Sequence, residues 1–144
     1  MEINKKIKIL FLDDDPIRHT CYTEKTEKYL NTETYHAWRF DDCINLLCTH
    51  KFDIICLDHD LGLSVNTPYI SWEDYTSKLK TGADVARWIA DNAIKTRRII
   101  IHSWNAVGAA SMASLLNHLN VIRREFGRGF FSALDKAICD VRFS

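Results

Sequence analysis

Three short apolar runs, each rich in β-branched residues, stop at clusters of titratable side chains. This punctuation constrains the fold more than any other feature of the chain. Ile7-Lys8-Ile9-Leu10-Phe11-Leu12 ends in Asp13-Asp14-Asp15, and Ile54-Ile55-Cys56-Leu57 ends in Asp58-His59-Asp60. Ile99-Ile100-Ile101 ends in His102-Ser103, with Asn105 two residues beyond. Runs of this length and composition read as strands buried on both faces of a parallel sheet. Ligands of open α/β sheets bind outside the carboxyl ends of the strands. If the three strands are parallel neighbours, their ends converge on one acidic pocket containing histidines.

The rest of the chain alternates strand and helix. A helix is expected over about 16–30, opening on Pro16, which suits the first helical turn. A strand at 35–40 follows, then a short helix capped by Asp41 or Asp42 and carrying Ile44, Leu46 and Leu47. The polar stretch at 61–80 is long for a connection and reads as a lid or binding loop, in which Tyr69, Trp72 and Tyr75 either pin the loop to the body or stack on a base or ribose. Thr81-Gly82-Ala83-Asp84 matches a capping box ahead of Val85, Trp88 and Ile89. A helix from about 105 is expected to bury Met112, Leu115, Leu116 and Leu119. A weaker strand at 121–126 and a helix over about 130–141 end the chain. Strands alternating with helices imply right-handed crossovers and a five-stranded parallel sheet in a doubly wound, three-layer α/β/α sandwich. At 144 residues, with no internal repeat or linker, one domain spanning residues 1–144 is the expectation.

Composition narrows the function classes. Lys plus Arg balances Asp plus Glu at 19 each, so a broad footprint for duplex nucleic acid is not expected, although a local basic patch is compatible with neutrality. Cys21, Cys43, Cys48, Cys56 and Cys139 form no CxxC pair and read as reduced structural thiols. No apolar run approaches the length needed to span a membrane, so a cytoplasmic protein without a membrane partner is expected.

The pocket chemistry follows from the residue types. Asp13, Asp14 and Asp58 would repel one another unless a cation intervened, and a hard divalent cation with oxygen ligands resolves the conflict. Asp60 is a further candidate ligand, and Mg²⁺ or Mn²⁺ the expected ion. The bland alternative for Asp13-Asp14-Asp15 is a solvated helix start. His102, and second to it His59, are candidates for proton transfer, with packing as the alternative for each. Asn105 could cap the helix opening on Gly108, Ala109 and Ala110, and that helix start and the one at Thr81-Gly82 could each receive a phosphate. Arg18, one turn into the first helix, could reach the same anion, or lie solvated.

These residues resemble the receiver domain of response regulators, a flavodoxin-like fold. In that family an acid pair (here Asp13 and Asp14) binds Mg²⁺, the strand-3 aspartate (Asp58) accepts phosphate, and a hydroxyl (Ser103) contacts it. The strand-5 lysine of that family has no match in Arg123-Arg124-Glu125-Phe126. The chain more closely resembles the cyclic-phosphate processing receiver family over about residues 7–120. The resemblance lies in Asp13-Asp14 with Arg18, Leu57-Asp58-His59-Asp60-Leu61, Thr81-Gly82 and His102-Ser103-Trp104-Asn105 ahead of Gly108-Ala109 and Met112. It implies a substrate bearing a cyclic phosphate, on a nucleotide or an RNA end. The expected function is a metal-dependent phosphoesterase with Asp58, His102 and His59 as catalytic residues. Arg18, Thr81, Gly82, Ser103 and Asn105 would bind phosphate, and Asp13, Asp14, Asp58 and Asp60 the metal. The alternatives are a divergent signalling receiver phosphorylated on Asp58 and a nucleotide-binding protein without turnover.

Overall fold

The computed structural model of the protein describes residues 6–61 and 80–143. Five parallel strands, β1 (Ile7–Leu12), β2 (Thr32–Ala37), β3 (Ile54–Leu57), β4 (Arg98–His102) and β5 (Val121–Arg124), form one sheet in the order β2-β1-β3-β4-β5. Between and after them run α1 (Pro16–Thr26), α2 (Phe40–Thr49), α3 (Gly82–Asp91), α4 (Ala106–Leu115) and α5 (Arg128–Arg142). The chain winds outward from β1 in one direction to β2 and in the other through β3, β4 and β5. The reversal falls between β1 and β3, which places a crevice beside the ends of those two strands.

Strand side chains alternate between two apolar layers. Leu10, Leu12, Ile55, Leu57, Ile99 and Ile101 pack with Leu47, Val85, Ile89 and Met112 from α2, α3 and α4. Ile9, Phe11, Ile54, Cys56 and Ile100 pack with Tyr22 of α1 and Phe130, Leu134 and Ile138 of α5. β3 is buried along its whole length, because it has a strand on each side and helices on both faces. All five cysteines are free thiols. Among the described residues no helix is long and apolar enough to cross a membrane.

Four expected boundaries move. The second strand is Thr32–Ala37 rather than 35–40. It is an edge strand paired only with β1, from Ile7↔Thr32 to Leu12↔Ala37, so polar Thr32, Glu33 and Thr34 belong in it. Trp38 instead leaves the sheet to lie on His19, ring centroids 3.9 Å apart. Neither Asp41 nor Asp42 is the cap of α2: the helix begins at Phe40 behind Arg39, and both aspartates sit in its first turn, where the helix dipole favours them. α1 closes at Thr26, four residues early, with Thr26 Oγ1 donating back to the Tyr22 carbonyl at 2.8 Å. β5 stops at Arg124, because Phe126 turns under α5 into a ring cluster with Phe130 and Phe131. Tyr69, Trp72 and Tyr75 lie outside the described residues.

Candidate functional site

β1, β3 and β4 deliver their terminal residues to one crevice, as parallel neighbours in register (Leu12↔Leu57, Leu57↔Ile101). Asp13 is fully buried and Asp58 is 4% exposed, whereas Asp14 faces solvent. One carboxylate oxygen from each of the three lies within 4.8 Å of the others. Asp13 is held rigidly: its Oδ1 accepts from the Asp15 N–H at 3.0 Å, and its Oδ2 accepts from the Tyr22 hydroxyl at 2.5 Å. Asp15 caps α1 through the Ile17 N–H. Arg18, one turn on, brings Nη1 to 3.6 Å from Asp13 and 3.7 Å from Asp58, with its guanidinium 4.7 Å above the Phe126 ring.

Burial raises the pKa of Asp13, outweighing its hydrogen bonds and Arg18. Asp58 is pushed up to about 8, first by burial and then by the Asp13 charge, with Arg18 opposing. A cluster that resists ionisation despite a neighbouring guanidinium calls for more positive charge. Three converging carboxylates form an oxygen donor set suited to a hard divalent cation, so the residues present fit Mg²⁺ or Mn²⁺.

The other expected site residues separate into three groups. Asp60 is exposed and stands apart from the three carboxylates, bonded to His59 Nδ1 at 2.8 Å and 3.4 Å from Asn105 Nδ2. His59 therefore lies at the mouth with a carboxylate partner, its ring against Gly108. His102 is wholly buried, 3.8 Å from Asp13 Oδ2 and within 3.4–3.5 Å of the Tyr22 hydroxyl. Burial, with Arg18 and His19, drives its pKa down to about 3, so its imidazole is neutral. It stands behind the carboxylates, where it orders Tyr22 and Asp13. Of the two histidines, the structure places His59 at the surface of the crevice and His102 beneath it, the reverse of the expected ranking, because alternation along β4 turns His102 towards the α1/α5 layer.

The third group serves the backbone. Asn105 caps α4, its side-chain oxygen accepting from the Gly108 N–H at 2.9 Å, and Ser103 Oγ accepts from the Asn105 N–H at 3.0 Å. Thr81 and Asp84 complete the capping box of α3, and the Gly82 N–H donates to the His59 carbonyl at 2.8 Å. A Cβ on Gly82 would stand 1.9 Å from the Asp58 carbonyl oxygen. Glycine is thus required for the close approach of α3 to the β3 end, and its amide is already used. Two residues escaped the sequence reading. Tyr22 follows Arg18 by four, hence on the same helix face, which was its available signal. His19 donates from Nε2 to the Asp13 carbonyl at 2.8 Å while Nδ1 meets His36 Nδ1 at 2.6 Å; nothing local in the sequence pairs these two histidines.

The sequence model of a family described as cyclic-phosphate processing receiver domain matches residues 8–118. No curated protein matches the chain significantly. Among solved structures, a CheY-like response regulator receiver domain protein from Methanospirillum hungatei superposes with a TM-score of 0.67 at 13% identity, covering 96% of this chain and 95% of that one. The receiver domain of a Francisella response regulator gives 0.64 at 18% identity, covering 96% and 98%. The response regulator domain of Thermotoga maritima CheB gives 0.62 at 16%, covering 96% and 95%. At such identities the likeness is one of fold: the chain has the receiver architecture.

Proposed function

The chain belongs to the cyclic-phosphate processing receiver domain family, and from that premise we propose that it is a metal-dependent phosphoesterase opening a cyclic phosphodiester of a nucleotide or an RNA end. The observation that carries this reading is the convergence of Asp13, Asp14 and Asp58 within 4.8 Å beside the Arg18 guanidinium. Asp13, Asp14 and Asp58 would hold Mg²⁺ or Mn²⁺, which when bound polarises the phosphoryl group and acidifies a water. Arg18 offers N–H donors to phosphoryl oxygens as negative charge grows on them. Opening consumes one water, breaks one ring P–O bond, and leaves a phosphomonoester and a free hydroxyl. The departing oxygen needs a proton, and we assign its delivery to His59, a reading supported by its pairing with Asp60 at the mouth. His102 and Tyr22 act as positioning residues through Asp13.

The test is incubation with 2′,3′-cyclic and 3′,5′-cyclic nucleotides in Mg²⁺ or Mn²⁺, and again with EDTA. A phosphomonoester that disappears with EDTA is the expected result. No product under any metal condition, together with an acyl phosphate on Asp58 after acetyl phosphate treatment, overturns it. That second outcome is the signature of a signalling receiver. This alternative draws support from the receiver fold and from Asp58 standing at the end of the third strand. Against it, β5 ends in Arg123-Arg124 where a signalling receiver carries a lysine.

A further inference from the structure

The opposite pole of the sheet carries a concentration of charge that the proposed reaction does not use. A cavity of about 680 Å³ opens at the amino-terminal ends of the strands, lined by Lys6, Lys8, Lys51, Lys95 and Arg97, with Glu33 and Asp53 as its acids. Buried Phe52 forms part of its wall. A second hollow of about 470 Å³ continues past Lys51 and Lys95 to His50 and Ile94. Five cations against two carboxylates make a strongly positive pole on a chain whose formal net charge is zero.

The frame beneath these cations is fixed. The Asp53 carboxylate accepts from the Lys8 N–H at 2.9 Å, and the Asp53 carbonyl accepts from the Arg97 and Arg98 N–H groups at 3.1 and 3.2 Å. One residue thus ties together the starts of β1, β3 and β4, and Thr96 Oγ1 adds a bond to the Phe52 carbonyl at 2.9 Å. Among the described residues no ion pair joins Lys6, Lys8, Lys51 or Lys95 to a carboxylate. These four lysines make no ion pair with either acid of the lining, which leaves their charge for an external anion.

We propose that this groove binds the phosphate backbone of single-stranded nucleic acid. The cations come from three separate segments, more than one phosphate could engage. Lys6 and Lys8 lie two residues apart, about 7 Å along extended backbone, which suits successive phosphates of a strand. The phosphorus atoms of a nucleoside polyphosphate, joined through single oxygens, stand much closer together. Beside the cations, the His50 and Tyr35 rings lie tilted at 41° with centroids 4.5 Å apart, giving unpaired bases an aromatic neighbour. A duplex would need a broader positive field than a neutral chain presents. Four of the five cations are lysines, point charges without the fork that reads a base edge, so binding is indifferent to sequence.

The test is fluorescence anisotropy of a labelled oligouridylate titrated with the full chain at several salt concentrations. Affinity should fall steeply with salt. The double variant Lys51→Glu/Lys95→Glu should weaken binding at least tenfold and flatten the logarithmic salt dependence by roughly 1.4, about 0.7 for each lost phosphate contact. Both side chains are exposed, and thermal melts check that the fold survives; should the reversal unfold the chain, Lys51→Gln/Lys95→Gln must move affinity in the same direction. Absence of binding at low salt, indifference to both variants, equal affinity for a duplex, or displacement by an equimolar nucleoside triphosphate would each overturn the proposal. Asp58→Asn should leave the affinity unchanged; loss there, with the lysine variants silent, would move the ligand to the other pole and likewise overturn it. The outcome is independent of whether a cyclic phosphate is turned over.

Discussion

Asp58 combines two demands on one side chain: it must be buried to end β3, and it must hold charge beside Asp13. Its pKa, pushed up to about 8, lies above the ordinary value, so its contribution to stability is full below about pH 4 and is lost as pH rises through about 8. Asp58→Asn removes a charge the ion-free fold tolerates poorly. In EDTA at pH 8 the variant should melt at least about 3 °C higher than the parent, and its melting should no longer respond to Mg²⁺. Turnover of any cyclic substrate should vanish in the same variant. A second test concerns His59. An alanine Cβ at position 108 would stand 2.5 Å from the His59 ring. Gly108→Ala should therefore cut turnover about tenfold or more by displacing that imidazole, with little change in melting because alanine favours the helix. Unchanged turnover would remove His59 from the reaction.

At the level of elements, the site depends on two helix starts that face it. α3 begins against the Asp58 carbonyl, and backbone there cannot yield as a side chain can. Gly82→Ala should cost about 3 kcal/mol or more, read from chemical denaturation, which separates it from the milder Gly108→Ala. α4 begins at Asn105, whose oxygen caps the helix while its amide nitrogen sits 3.4 Å from both His59 and Asp60. Asn105→Ala should lose about 1 kcal/mol of stability with the cap. It should also lower kcat, whereas Asn105→Asp, which keeps the capping oxygen, should recover stability without recovering full activity. Equal recovery of both would reduce Asn105 to a helix cap.

For the whole molecule, one buried and one half-buried histidine, His102 and His36, set the acid limit. Burial, with His19, lowers His36 to about 4, and burial lowers His102 to about 3. Each stays neutral in the fold while its unfolded counterpart takes a proton below about pH 6.5. The unfolded state then binds more protons, so stability should fall as pH drops from about 6.5 towards 3. Urea midpoints at pH 7 and pH 4.5 check this, and His36→Phe should narrow the gap between them. By itself the sequence determined the layering: short β-branched runs alternating with helical patterns point to a parallel sheet buried on both faces, so β1, β3, β4 and the acidic ends that punctuate them were readable as local patterns. The polar edge strand β2 was displaced in that reading, because pairing with β1, not hydrophobicity, places Thr32–Ala37. What only the tertiary structure decided is which side of each strand end faces the crevice. Alternation and packing put His102 beneath Asp13 and His59 at the mouth, join His19 to His36, and gather cations from three distant segments at the far pole. Those outcomes depend on contacts between residues far apart in the chain, and no local pattern encodes them.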